Sequence, residues 1–214
     1  MNPYKIRDAR TGDVDFIVTA IIEAEKSGSN TLSYSTVFNL PETEVRDIMR
    51  SMLLEEIDGC EFSLSSYLVA ETDGNPVGTI GAWVEKSDAP SKTIKSNLLG
   101  YYLPKSSLVY ASRESGVASE LIIENVKDAL SFVIVYIAPE HRGKGLFSLL
   151  ADEHLRRNKD VEELSIQVMA NNHFAIQSYE RYGFSKFLVK TCNNPDILNF
   201  LPYHEKALMK KSLK

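Results

Sequence analysis

Two hydrophobic periods alternate along this chain, and together they predict a mixed order of strands and helices. Tyr4-Lys5-Ile6-Arg7 alternates as a short strand and runs into Thr11-Gly12-Asp13, a turn built of helix-capping residues. Phe16, Ile17, Ala20, Ile21 and Ala24 then share one helical face, and Val45, Ile48, Met49, Met52 and Leu53 share another just after Pro41. Met49 and Met52 read as core packing. The link over residues 27–39, rich in Ser, Thr and Asn, reads as a loop. Tyr67-Leu68-Val69-Ala70 and the run 77–84 flank Asp73-Gly74-Asn75-Pro76, which predicts a hairpin; Gly78 and Gly81 mark either a bulge or a place of close packing.

The carboxy-terminal half is patterned more strongly. Residues 132–137 are apolar without alternation, as in a strand covered on both faces. Leu146, Leu149 and Leu150 recur at helical spacing, and 164–169 alternates as a strand, so strand, helix and strand form a right-handed crossover between parallel strands. Residues 171–184 read as a helix capped by asparagine and closed by Gly183. A strand at 185–190, a polar loop at 191–196, a short helix at 197–200 and a last strand at 205–210 complete the order. Before the central strand, residues 85–130 are a long segment with one amphipathic helix through Ile94, Leu98, Leu99 and Tyr102 and a second expected over 117–126.

The central strand ends in Pro139, which has no N–H for a ladder, and then comes Arg142-Gly143-Lys144-Gly145-Leu146-Phe147-Ser148. A strand that turns sharply into a helix leaves unpaired N–H groups at the helix start, where they favour an anion. Glycine lets a bulky anion approach the backbone, and Arg142 and Lys144 add positive charge, so phosphate is the expected guest. The run is neither a Walker loop nor a three-glycine dinucleotide fingerprint. Taken alone, two glycines serve turn geometry at least as often as they serve a ligand.

A second pattern changes that balance. Arg142-Gly143-Lys144-Gly145-Leu146-Phe147 matches [QR]-x-x-G-x-[GA] except at Phe147, and Asn172, Ala175, Tyr179, Gly183 and Phe184 fill N-x-x-A-x-x-x-Y-x-x-x-G-F at every defined position. With these two motifs in order, the chain resembles the GNAT superfamily of N-acetyltransferases over residues 132–184. The resemblance implies an α/β (α+β) fold with a mixed, mostly antiparallel sheet flanked by helices. One domain is expected over 1–214, with 85–130 as an insertion that serves either substrate choice and subunit contact or packing alone.

It also implies a chemistry. Acetyl-CoA is the expected co-substrate, its pyrophosphate in the cradle of Arg142, Gly143, Lys144, Gly145, Leu146, Phe147 and Ser148, its pantetheine arm along Val135, Tyr136 and Ile137, with Asn172 contacting that arm or capping its helix. Phe147 is expected to turn toward the core. Tyr179 is the expected general acid for the leaving thiolate, and a core aromatic is its alternative reading. No base is singled out: Glu23, Glu25, Glu85, Glu140, His141 and His173 are all open, as is a water chain. The leading reading is acetyl transfer to a primary amine of a small molecule or protein. An acyl-CoA-binding module without turnover and a longer acyl donor remain as alternatives, and residues 27–39 are expected on the acceptor side.

The 214 residues suffice for a real core, and 43% hydrophobic with 25% charged residues is ordinary for a globular chain. A net charge of -5 argues against nucleic acid as the partner, and fits a cationic amine such as a polyamine or aminoglycoside. Cys60 and Cys192 read as thiols of a reducing compartment, and no pair of histidines has zinc spacing, so no metal is expected. With no long apolar run, signal peptide or lipidation motif in view, a cytoplasmic location without membrane contact is expected. The insertion and the last strand are the surfaces open to homodimerisation.

Overall fold

A computed structural model describes residues 3–88 and 90–214. Seven strands, β1 (Lys5–Asp8), β2 (Tyr67–Thr72), β3 (Asn75–Val84), β4 (Leu130–Ile137), β5 (Glu163–Met169), β6 (Ser185–Thr191) and β7 (Glu205–Ser212), form one sheet. Their order is β1-β2-β3-β4-β5-β7-β6. Every pairing is antiparallel except β4 with β5, the pair joined by the predicted crossover. The hairpin turns on Asp73 (φ 50°) and Gly74 (φ 78°), two consecutive left-handed residues, as a two-residue turn matched to the strand twist requires.

Helices α1 (Val14–Lys26), α2 (Ser33–Phe38), α3 (Glu42–Leu53), α4 (Ser91–Tyr102), α5 (Lys105–Glu114), α6 (Leu146–Arg157) and α7 (His173–Tyr182) cover the sheet. Alternation along the strands divides the apolar side chains between two cores. Leu68, Ile80, Phe132 and Ile166 meet Leu146, Leu150 and Ala151 of α6 and Ile176 and Tyr179 of α7. On the opposite face Tyr67 and Ile134 meet Ile17 and Ile21 of α1, Met49 and Met52 of α3 and Leu98 of α4. Leu150 is wholly buried, and each such side chain stabilises the fold by about 1.5–3 kcal/mol relative to exposure. Cys60 and Cys192 are free, buried thiols in different clusters.

Several expectations change here. Residues 27–39 are more than a loop, because α2 forms there and ends at Asn39 in the left-handed region (φ 51°). Helix α5 falls where the pattern predicted no element, and it packs on α2. The helix expected over 117–126 is a 3₁₀ turn, Gly116–Leu121, followed by extended chain. That chain is held from β5 instead, since Gln167 Nε2 donates to Ile123 O (3.0 Å) and to Asn125 Oδ1 (2.9 Å). The central strand is covered on both faces only at Leu130–Phe132; the rest of β4 is half-buried.

Glu85 ties off the two ends of the 85–130 segment. Its carboxylate accepts from Trp83 Nε1 (2.9 Å), Ser91 N (3.0 Å), Ser91 Oγ (2.7 Å) and Asn125 Nδ2 (3.1 Å). Although burial works against the charge, these donors together hold the carboxyl below its ordinary value. Glu85 is therefore a structural hub rather than a free base.

Candidate active site

A wedge opens in the middle of the sheet. β4 and β5 start side by side, with Leu130, Ser131 and Phe132 opposite Leu164, Ser165 and Ile166 and the two serine hydroxyls 2.9 Å apart. Beyond Phe132 the pairing stops, although β4 continues to Ile137 and β5 to Met169, still paired with β7. The cause lies on the other side of β4. Thr79 of β3 faces Tyr136 while Gly81 faces Val133, so β4 carries one extra residue and bulges. Ile134 takes a φ of 46°, an uncommon conformation for a β-branched residue that costs about 1–3 kcal/mol. The bulge bends β4 away from β5 and leaves the edge at 133–137 without a strand partner.

Opposite the bulge, the carbonyl of Ile80 in β3 is met by His154 of α6. His154 Nε2 donates to Ile80 O at 2.9 Å, which fixes the neutral tautomer with the proton on Nε2. The ring is 6% exposed, and burial pushes its pKa from 6.5 down to about 4. His154 thus joins β3, opposite the bulge, to the helix that follows the glycine turn.

That cradle follows a 3₁₀ turn, Pro139–His141. Gly143 (φ 72°) and Gly145 (φ 79°) both lie in the left-handed region, and Lys144 between them does not. Such alternation brings successive N–H groups to one side. A Cβ on either glycine would meet nothing within 4 Å, so glycine serves the backbone angle while the space above stays open. The first intrahelical bond runs from Leu149 N to Gly145 O (3.2 Å), leaving the N–H groups of Leu146, Phe147 and Ser148 without an intrahelical acceptor. Arg142 Nε donates to Ile137 O (3.0 Å), pinning the loop to the end of β4, and Lys144 is exposed. Tyr4 OH and His141 Nδ1 lie 3.0 Å apart, so His141 anchors β1 to this loop.

Helix α7 brings the second motif to the same end of the sheet. Asn172 caps it, its Oδ1 accepting from Ala175 N (3.2 Å), and its Nδ2 donates to Ser27 Oγ (3.1 Å) at the end of α1. Tyr179 is 6% exposed, and burial pushes its phenol well above the ordinary range. Among the described residues its hydroxyl has no hydrogen-bond partner. Phe147 turns toward the core: its ring lies 5.2 Å from that of Tyr179 and 5.3 Å from that of Tyr182, between α6 and α7.

The sequence profile of the acetyltransferase (GNAT) family matches residues 36–184, which is more than half of the chain and contains both motifs. The protein belongs to the GNAT acetyltransferase family. Solved structures agree at the level of the fold. An N-acetyltransferase from Staphylococcus aureus Mu50 is 18% identical with a TM-score of 0.69, covering 96% of this chain and 99% of its own. A ribosomal-protein-alanine N-acetyltransferase from Brucella melitensis (16% identical, TM-score 0.53; 98% and 99% covered) and an agmatine N-acetyltransferase (13%, 0.59; 99% and 100%) share it as well. No curated protein matches this GNAT chain in sequence.

The remaining base candidates of this GNAT protein separate by position. Glu23, Glu140 and His173 are exposed, and Glu25 is half-buried with Ser33 Oγ donating to it. Near Glu25 lies a cluster that no motif announced. Glu61, just ahead of β2, pairs with Lys95 of α4 at 2.8 Å and accepts from the Tyr34 hydroxyl, while Tyr67 OH donates to Glu61 O at 2.5 Å. Lys95 holds the Glu61 carboxyl below its ordinary value despite burial. Lys206 of β7 feels Glu25 and Glu61 as attractive charges. These residues stand tens of positions apart, so local pattern could not assemble them. Among the described residues no three His, Cys, Asp or Glu side chains are grouped to hold a metal, and no helix is long and apolar enough to cross a membrane.

Proposed function

We propose that this protein transfers an acetyl group from acetyl-CoA to a primary amine by direct attack. The observation that carries the reading is the wedge: a strand edge stripped of its partner, opening beside a cradle of unpaired N–H groups. The parts fit the co-substrate. Gly143 and Gly145 leave room for a pyrophosphate on the N–H groups of 143–148, with Arg142 and Lys144 supplying charge. The free edge at Val135, Tyr136 and Ile137 suits the amides of the pantetheine arm, and a β4 N–H there can polarise the thioester oxygen. Asn172 stands at the start of α7 to meet the same arm while keeping its cap.

Tyr179 is the general acid in this reading. The desolvation that raises its phenol also raises the proton affinity of a thiolate forming nearby, so donor and acceptor stay matched. The amine nitrogen forms a bond to the acetyl carbon, the carbon–sulfur bond breaks, and the sulfur takes the phenol proton. The surplus proton on nitrogen restores Tyr179.

Calorimetric titration with acetyl-CoA, followed by CoA release with a panel of amines, tests this. Arg142→Ala and Lys144→Ala should each weaken acetyl-CoA binding about ten-fold. Tyr179→Phe should keep the affinity and lower kcat by about a hundred-fold. No binding by the native protein would overturn the reading; binding without CoA release for any amine would leave an acyl-CoA-binding module in its place.

A further inference from the structure

Four ionic side chains meet near the carboxy-terminal end of α1, two acidic and two basic. Three of them are engaged. Glu61 accepts from Lys95 and from Tyr34, Lys95 also lies 5.2 Å from the centre of the Tyr34 ring, and Glu25 accepts from Ser33. Lys206 is the exception: it is half-buried, yet no carboxylate or carbonyl bonds its ammonium among the described residues. Glu25 and Glu61 attract it, Lys95 repels it, and burial pulls its pKa below the ordinary value. An ammonium partly withdrawn from water without a bonded partner is under-solvated, and an incoming anion relieves it.

The position of this cluster connects it to the wedge. Lys206 stands opposite Met169 on β5, and because Ala207 and Met209 point into the α6–α7 core, Lys206 points to the α1 face. Glu25 lies two residues before Ser27, the residue that Asn172 holds at 3.1 Å. The two walls of the cluster are also joined. Thr36 Oγ1 of α2 donates to Phe200 O (2.5 Å), and Tyr203 OH donates to Ser27 O (3.3 Å). A cluster bridged in this way suits a small molecule rather than a threaded peptide.

We propose that Lys206 and Glu25 form the acceptor subsite, and that the acceptor is a small zwitterion with a primary amine and an acidic group. This rests on the acetyltransferase reading above. Lys206 binds the acidic group. Glu25, with one oxygen held by Ser33 and lone pairs to spare, receives the ammonium, whereas the Glu61 charge is already paired with the Lys95 ammonium. Glu25 takes one proton from the ammonium and passes it to solvent; the neutral nitrogen bonds to the acetyl carbon, the carbon–sulfur bond breaks, and the thiolate takes the Tyr179 proton. The second nitrogen proton returns to Tyr179, so one proton is released per turnover.

Matched acceptors test the assignment. β-Alanine, 4-aminobutanoate, L-alanine and 2-aminoethyl phosphate are compared with propylamine, putrescine and L-alaninamide by CoA release, and the binding of each to the CoA-loaded protein is measured by calorimetry. At least one acid should exceed its uncharged or cationic counterpart in kcat/KM by ten-fold or more, the phosphate arm showing which acidic group fits. Lys206→Gln and the better-packing Lys206→Met should each cut that preference at least ten-fold, chiefly through KM, with acetyl-CoA affinity unaltered; Lys206→Glu should turn it toward putrescine. Turnover of putrescine or propylamine with no acid preferred would overturn the subsite and leave the acetyltransferase reading standing. Acids that bind in a Lys206-dependent way without CoA release would uphold the subsite and overturn the transferase reading.

Discussion

Mild acid should destabilise this fold through His154 before any carboxylate is involved. In the unfolded chain the imidazole takes up a proton near 6.5; in the fold it stays neutral down to about 4. The folded value is the depressed one, so the stabilisation is present above 6.5 and lost as pH falls toward about 4. Each pH unit across that window is worth about 1.4 kcal/mol, so the loss between pH 7 and pH 5 is about 2 kcal/mol. Urea unfolding followed by the fluorescence of Trp83, the one tryptophan in the chain, measures it at pH 7, 6 and 5. The control is His154→Gln, whose amide can still donate to Ile80 O but does not titrate. The native protein should lose about 2 kcal/mol more than the variant over this range. Equal losses would refute the argument that burial against Phe132 and the Ile80 carbonyl keeps the ring neutral. The paired carboxylates act lower: Glu153, held at about 2 by Arg156 and Arg157, gives up its contribution only as pH falls below 4.5.

Two core substitutions probe the geometry around the wedge. In Gly81→Ala the new Cβ would stand 2.9 Å from Tyr67 Cε1 and 3.1 Å from Val133 Cγ2, and a ring buried on both sides yields little. A loss of about 1–3 kcal/mol is expected in urea unfolding, with weaker acceptor turnover because Tyr67 buttresses Glu61; an unchanged midpoint would show that the ring gives way freely. Glu85→Ala removes the acceptor shared by Trp83, two donors of Ser91 and Asn125. It should cost about 3 kcal/mol and open residues 85–130 to limited proteolysis while β1–β3 stay protected, whereas cleavage no faster than in the native protein would contradict the hub assignment.

The short-range features of this protein were legible in its residues. Asp73-Gly74 forces its turn, Asn172 and Gly183 bound α7, and Gly143 and Gly145 turn a strand into the start of α6, because each outcome depends on backbone angles and caps within a few residues. The two glycines and the asparagine motif therefore carried the candidate site's cofactor side into view. Residues whose role is set by distant partners were not legible. Glu85 had the composition of a base and became a hub because Ser91 and Asn125 converge on it, and 117–126 had a helical pattern that Gln167 of β5 overrode. Helices α2 and α5 carry little periodicity of their own and are held by packing on each other.

The same division runs through the chemistry. Where N–H groups stand unpaired at a glycine turn was determined by the sequence alone, since they are a local consequence of the chain. Whether a slot opens beside it was decided only in the sheet: the apolar run 132–137 bears no mark of a bulge, and β4 departs from β5 because its pairing with β3 gains a residue at Ile134. The charges at Glu25, Glu61, Lys95 and Lys206 likewise acquire a meaning only together, because electrostatics acts across space, and only the tertiary fold brings α1, α4 and β7 within range of one another.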